Sequence, residues 1–242
     1  MKQKHIINCP CYDVASKKEI EDFILEKINQ NQGGYTVAIN ALKIVKYNND
    51  PIAKDVIDKA ILQIPDGFGA VYAFKLLHKI KTIRVDLPGI TLDLANEKRM
   101  KVFFLGASEE NNLLAVENVK KLYPGIQITG RQNGFFKNFE DVESQLAETM
   151  PEIVLIGMGS PRQEILSSKF HQKFKHILFI GCGGRIDVLS GNIKRAPQWY
   201  IRNKLEGVYR VATQPRRIYD LRKVIIYFYL LYKTKWFTKT FK

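Results

Sequence analysis

Cysteine is scarce in this chain of 242 residues, and so are the other residues that would cross-link it or hold a metal. Cys9, Cys11 and Cys182 are an odd number without Cys-x-x-Cys spacing. They argue against a disulfide framework or a structural zinc site, and for a reducing, cytosolic setting. Only four histidines occur, and His171 and His176 have no third ligand beside them. No Asp-x-Asp occurs, so a paired-carboxylate metal site is not visible. Neither a P-loop nor Gly-x-Ser-x-Gly is present. No apolar run approaches the roughly 18 residues of a membrane-spanning helix. The start, MKQKHIINCP, lacks the apolar stretch of a signal peptide. With 45% hydrophobic and 26% charged residues, disorder and low complexity are excluded. The length suits one large domain with its own core, or one domain plus an appendage.

What is abundant is positive charge, and its position is informative. The net charge is +14, yet the segment Lys194–Lys242 alone holds 13 Lys and Arg against Glu206 and Asp220. The remainder of the chain is close to balanced. A cationic tail on a neutral body implies an anionic partner, such as phosphate groups or an anionic membrane surface. The tail's aromatic residues form one apolar block, Val224 to Tyr232, flanked by Lys, Arg and Trp236. That pattern suits a segment lying in a membrane interface. It argues against nucleic acid, whose binders spread aromatics along a basic groove. A C-terminal helix docked on the body, or paired with a second copy in a homo-oligomer, is the alternative for the same block.

Short β-branched runs alternate with helical patterns. The strand candidates are His5–Asn8, Tyr35–Asn40, Thr82–Val85, Lys101–Leu105, Ile126–Thr129, Glu152–Ile156 and His176–Ile180. Helices are expected after Ser16-Lys-Lys-Glu19, which reads as a capping box, and from Pro51 to about Leu62. Gly69–Leu77, Glu109–Leu122, Asn138–Thr149 and Pro161–Phe174 also carry helical spacing. This alternation predicts an α/β class, a mostly parallel sheet with helices on both faces. Ligands of such sheets bind at the carboxyl ends of the strands. The composition break near Gly191 divides an α/β body, 1–190, from a basic helical appendage, 191–242.

Three loops could carry chemistry. Ile156-Gly157-Met158-Gly159-Ser160-Pro161-Arg162-Gln163-Glu164 joins a buried strand to a helix through a Gly-rich turn. Ser160 suits an N-cap, Pro161 the N1 position and Gln163 the N3 position of a capping box. Exposed N–H groups there would favour a phosphate, though a well-capped turn needs no ligand. Arg162 stands where a dinucleotide fingerprint would need its third Gly. A second turn, Gly181-Cys-Gly-Gly-Arg185-Ile-Asp187, would flank the same crevice. The third, Pro65-Asp66-Gly67, could present Asp66 as a general base, or Asp66 could serve as a turn residue bonding its own backbone.

Taken together these segments resemble one known family. Val37-Ala-Ile-Asn40-Ala41, Pro65-Asp66-Gly67, Leu105-Gly106, Asn133-Gly-Phe-Phe136, Gly157 to Glu164, Gly183 to Asp187, Lys194-Arg195-Ala-Pro197, Tyr209-Arg210 and Gln214-Pro-Arg-Arg217 are similar, in order and spacing, to the WecG/TagA/CpsF glycosyltransferases. The resemblance implies a Rossmann-like body with a C-terminal appendage at the cytoplasmic face of a bacterial membrane. It implies inverting transfer, without a metal or other cofactor, from a UDP-sugar to a polyprenyl-diphosphate-linked N-acetylglucosamine in cell-surface polysaccharide synthesis. Members of the closest type use N-acetylmannosamine or its uronic acid. By position, Asp66 is implied as the general base. Asn40, Gly106, Gly157, Gly159, Gln163, Asp187, Arg195, Arg210 and Arg217 are implied as substrate-binding, the last two closing over the donor diphosphate. The chain departs from the family pattern at Ala38, Thr91, Gly207 and Asp220. Thr91, Gly207 and Asp220 leave a non-catalytic sugar-nucleotide or polyprenyl-phosphate binder on the same fold as the alternative.

Overall fold

The structure, a computed structural model, describes residues 1–192, 197, 199–200 and 218–240. An antiparallel hairpin comes first, β1 (Gln3–Ile6) and β2 (Cys9–Tyr12). Then follow α1 (Lys17–Asn29), β3 (Gly34–Ile39), α2 (Ala41–Asn49), α3 (Pro51–Asp58), β4 (Leu62–Pro65) and α4 (Gly67–Ala73), which runs on as a π-helical turn, Phe74–His78. Next are α5 (Leu87–Lys98), β5 (Lys101–Gly106), α6 (Glu109–Leu122), β6 (Gln127–Gln132) and α7 (Phe139–Thr149). The body closes with β7 (Ile153–Gly157), α8 (Arg162–Lys173), β8 (Leu178–Gly181) and α9 (Arg185–Leu189). A long helix, α10 (Ile218–Thr240), ends the described chain.

Side-chain caps fix several helix starts. Ser16 accepts from the Glu19 N–H, and the Glu19 carboxylate reaches back to the Ala15 N–H at 2.7 Å, close to the expected capping box. Asn40, Asp50 and Ser108 cap α2, α3 and α6 in the same way.

The main sheet is parallel throughout, in the order β4-β3-β8-β7-β5-β6. The links β3→β4 and β7→β8 step one way along it, and β5→β6 steps the other. Right-handed crossovers therefore put their helices on opposite faces. Two cores result. Val37, Ile39, Phe103, Leu105, Val154 and Ile156 face α2, α3, α7, α8 and the hairpin. Their neighbours Val102, Phe104, Ile153 and Leu155 face α1, α5, α6 and α9. The direction of winding reverses between β5 and β7, so a crevice opens at the carboxyl ends there.

Some expectations change. Thr82–Val85 is extended but joins no ladder. Thr82 exchanges hydrogen bonds with Val14, and the Val85 N–H donates to the Pro65 carbonyl. The helix expected to reach Leu62 ends at Asp58, and Leu62–Pro65 is a strand. Helices α2, α5 and α9 and strand β2 are additions to the sequence reading, and the first strand is Gln3–Ile6 where His5–Asn8 was expected. The three cysteines are free and buried. Burial pushes the Cys9 and Cys182 thiols up to about 12 and raises Cys11 as well, which favours the protonated thiol at all three.

Candidate active site

Asn40 and Asp66 stand side by side. The β3–β4 register pairs Ile39 with Pro65, and the Asp66 N–H donates to the Ile39 carbonyl at 2.8 Å. Each residue therefore leaves its strand at the same height. The Asn40 side-chain oxygen accepts from the Lys43 N–H at 3.1 Å. Asp66 occupies the N-cap of α4, but its side chain makes no capping bond. The carboxylate instead lies 3.7 Å from Arg84 Nε and is about one-third exposed. It is thus held near a cation at the carboxyl end of β4.

Arg84 was not singled out by the sequence. Its only signal is alternation: Ile83 and Val85 flank it, so an extended segment turns Arg84 the other way. Two residues on, Asp86 caps α5 and accepts from Arg185 at 3.4 Å. The segment 82–86 thus links the β4 loop and the β8 loop by two ion pairs.

Gly106 and Gly157 pair across β5 and β7, at the reversal point. A side chain on Gly106 would run into the Gly157 carbonyl, so close strand packing already requires that glycine. Gly159, with φ of +74°, has open space where a Cβ would point. The turn beyond it differs from expectation. Pro161 takes the N-cap after a cis peptide bond, no side chain caps α8, and Gln163 falls at N2.

Gln163 is buried and engaged at both ends. Its Oε1 accepts from the Gly183 N–H at 3.1 Å, and its Nε2 donates to Glu164 Oε1 at 3.1 Å. It ties the two Gly-rich turns together. Glu164 Oε1 also pairs with Lys43 Nζ at 2.6 Å, with side chains only 4% and 10% exposed. This ion pair crosses from α8 to α2, just below Asn40. Asp187 lies on the other side, where Asn111 of α6 donates to it at 2.7 Å. Arg195, Arg210 and Arg217 lie outside the described residues. Among the described residues no group of three His, Cys, Asp or Glu could hold a metal ion.

α10 packs on the body beside this site. Tyr227 and Leu231 are fully buried in the core that contains α2, worth about 1.5–3 kcal/mol each. Ile225, Tyr229, Tyr232 and Trp236 are each at least half exposed. The helix therefore docks on the body and also presents an apolar outer face. No described helix is long and apolar enough to cross a membrane.

The model of the family described as "Glycosyl transferase WecG/TagA/CpsF family" matches residues 4–241. The chain is 36% identical over 193 residues to an N-acetylglucosaminyldiphosphoundecaprenol N-acetyl-beta-D-mannosaminyltransferase of Bacillus spizizenii, covering 78% of this chain and 75% of the relative. A protein of the same name from Bacillus subtilis is 32% identical over 220 residues, 90% of this chain and 86% of its own.

Proposed function

The chain belongs to the WecG/TagA/CpsF family of glycosyltransferases, and from that premise we propose how its site works and on what. The donor is a UDP-sugar of the N-acetylmannosamine type. The acceptor is the N-acetylglucosamine of a polyprenyl diphosphate. Both relatives carry transferase names, which disfavours the non-catalytic alternative.

The observation that carries the reading is the juxtaposition of Asn40 and Asp66 at adjacent strand ends, with the Asp66 carboxylate beside Arg84. Asp66 takes the proton of the attacking hydroxyl. That oxygen bonds to the anomeric carbon of the donor as the bond to UDP breaks, and the electron pair leaves on the diphosphate. The turn at Gly157 and Gly159 gives the donor phosphates close access to backbone N–H groups. Gln163 holds that turn against Gly183. Arg195, Arg210 and Arg217 receive the diphosphate charge, an arginine fork being suited to it. No metal is required in this scheme, because cationic side chains offset the charge on the leaving group.

The body, 1–190, performs the chemistry, and the appendage, 191–242, meets an anionic membrane surface on the cytoplasmic side. Support comes from the exposed apolar face of α10 and the basic residues around it. Phe68, two residues from Asp66, stacks on Tyr72 at 5.5 Å, and Tyr72 bonds Tyr232 of α10 at 2.8 Å. Aromatic surface therefore runs from the site to that face.

The test is a transfer assay on a short-tailed lipid diphosphate–N-acetylglucosamine with a panel of UDP-sugars in EDTA. The expected result is a mass gain of one N-acetylhexosamine, undiminished by the chelator. UDP binding without transfer from any donor would sink the catalytic reading.

A further inference from the structure

A tail that served only as an anchor would need only its outer face, yet the inner face of α10 is fitted to the loop that carries Asp66. The Tyr227 hydroxyl donates to the Gly69 carbonyl at 2.7 Å, in the first turn of α4. A Cβ on Gly69 would stand 3.3 Å from the Tyr227 ring and 3.3 Å from the Ala41 Cβ. An added side chain there would be tight, and the ring or Ala41 would have to give by a few tenths of an ångström. The ring and the first residue of α2 both close on the side where the Gly69 Cβ would point. Those two helices begin directly after Asn40 and Asp66. Burial raises the Tyr227 phenol well above its ordinary range, so the hydroxyl keeps its proton and donates. A second bond, Tyr72 to Tyr232, fixes the next turns of α4 and α10 against each other.

We propose that Tyr227 is a positioning residue for transfer: docked between α2 and α4, it sets the Asp66 loop, so that an aligned base requires a docked C-terminal helix. This rests on the reading of Asp66 as the base. The chemistry remains that of Asp66; Tyr227 acts through Gly69.

The experiment uses the full chain and an acceptor whose lipid is short enough to need no membrane, so that tethering makes no difference. Turnover, donor KM and the thermal midpoint are measured for Tyr227→Phe, Gly69→Ala and, as a control, Asp66→Asn. Tyr227→Phe keeps the ring and loses one hydrogen bond. It should lower kcat about five- to tenfold, with donor KM within twofold and the midpoint within about 2 °C. Gly69→Ala presses the ring by a few tenths of an ångström and should also lower kcat, again with donor KM kept. Unchanged kcat in Tyr227→Phe and Gly69→Ala, with Asp66→Asn inactive, would overturn the proposal and leave the helix as an anchor. A loss of kcat in Tyr227→Phe that only tracks a loss of folding would also overturn it. Full turnover in Asp66→Asn would remove the base, and the proposal with it. If Gly69→Ala does not fold, the Tyr227→Phe comparison decides alone.

Discussion

Asp66→Asn should turn over about 10²–10⁴ times more slowly than the wild-type chain, the range expected when a general base is removed. Donor KM should stay within about threefold, because the change removes a proton acceptor and keeps the shape of the side chain. The structure makes this variant informative. Asp66 makes no capping bond to α4, so the amide takes away no helix cap. Its neighbour Arg84 is more than one-third exposed, and an exposed pair of this kind contributes little to folding. The thermal midpoint should therefore move little. Steady-state kinetics with a calorimetric scan would separate the two effects. A variant as active as the wild type would take Asp66 out of the base role.

Glu164→Ala should act through folding. The Lys43–Glu164 pair is nearly sealed from water, and Glu164 is the ion-pair partner of Lys43. Removing it strands a buried ammonium group, which costs about 3–5 kcal/mol. For a chain of this size each kcal/mol moves the midpoint by roughly 2–4 °C, so a fall on the order of 10 °C is expected. Gln163 also loses the acceptor of its amide N–H, which loosens the link to Gly183. The double replacement Lys43→Met with Glu164→Leu removes both charges and should recover most of the stability. Thermal unfolding of the single and double variants checks this. A single variant as stable as the wild type would mean that Lys43 is solvated after all.

Much of the fold was legible because the central strands β7 and β8 are uniformly apolar. Ile153–Ile156 and Leu178–Ile180 are buried on both faces, and glycines mark their ends. β4 was not legible. It has four residues, with Gln63 in the middle and Pro65 at the end. Gln63 is buried because Ile57 and Ala60 carbonyls accept from its amide, a local bond that composition cannot signal. Thr82–Val85 shows the converse: its β-branched residues are extended, but their bonds go to Val14 and Pro65 as isolated contacts.

The site was legible in its loops and hidden in its long-range partners. The Gly-rich turns are visible locally, whereas Asn40, and the preference for a base role at Asp66, enter only through the family resemblance. Arg84 is brought to Asp66 by the fold, and Lys43 meets Glu164 across 121 positions. The apolar block of the tail was visible, but not which side docks. That is set by long-range partners such as the Gly69 carbonyl, 158 positions earlier, which accepts from Tyr227.

A single displacement guided by one base leaves a stereochemical record. The measurement to make is the anomeric configuration of the new linkage, by NMR of product from α-linked UDP-N-acetylmannosamine and the short-tailed acceptor. Attack by an Asp66-activated hydroxyl opposite the departing UDP predicts the β-linkage alone. An α-linked product, or a mixture of the two, would contradict it, since it would require a covalent intermediate or a sugar cation captured from either face.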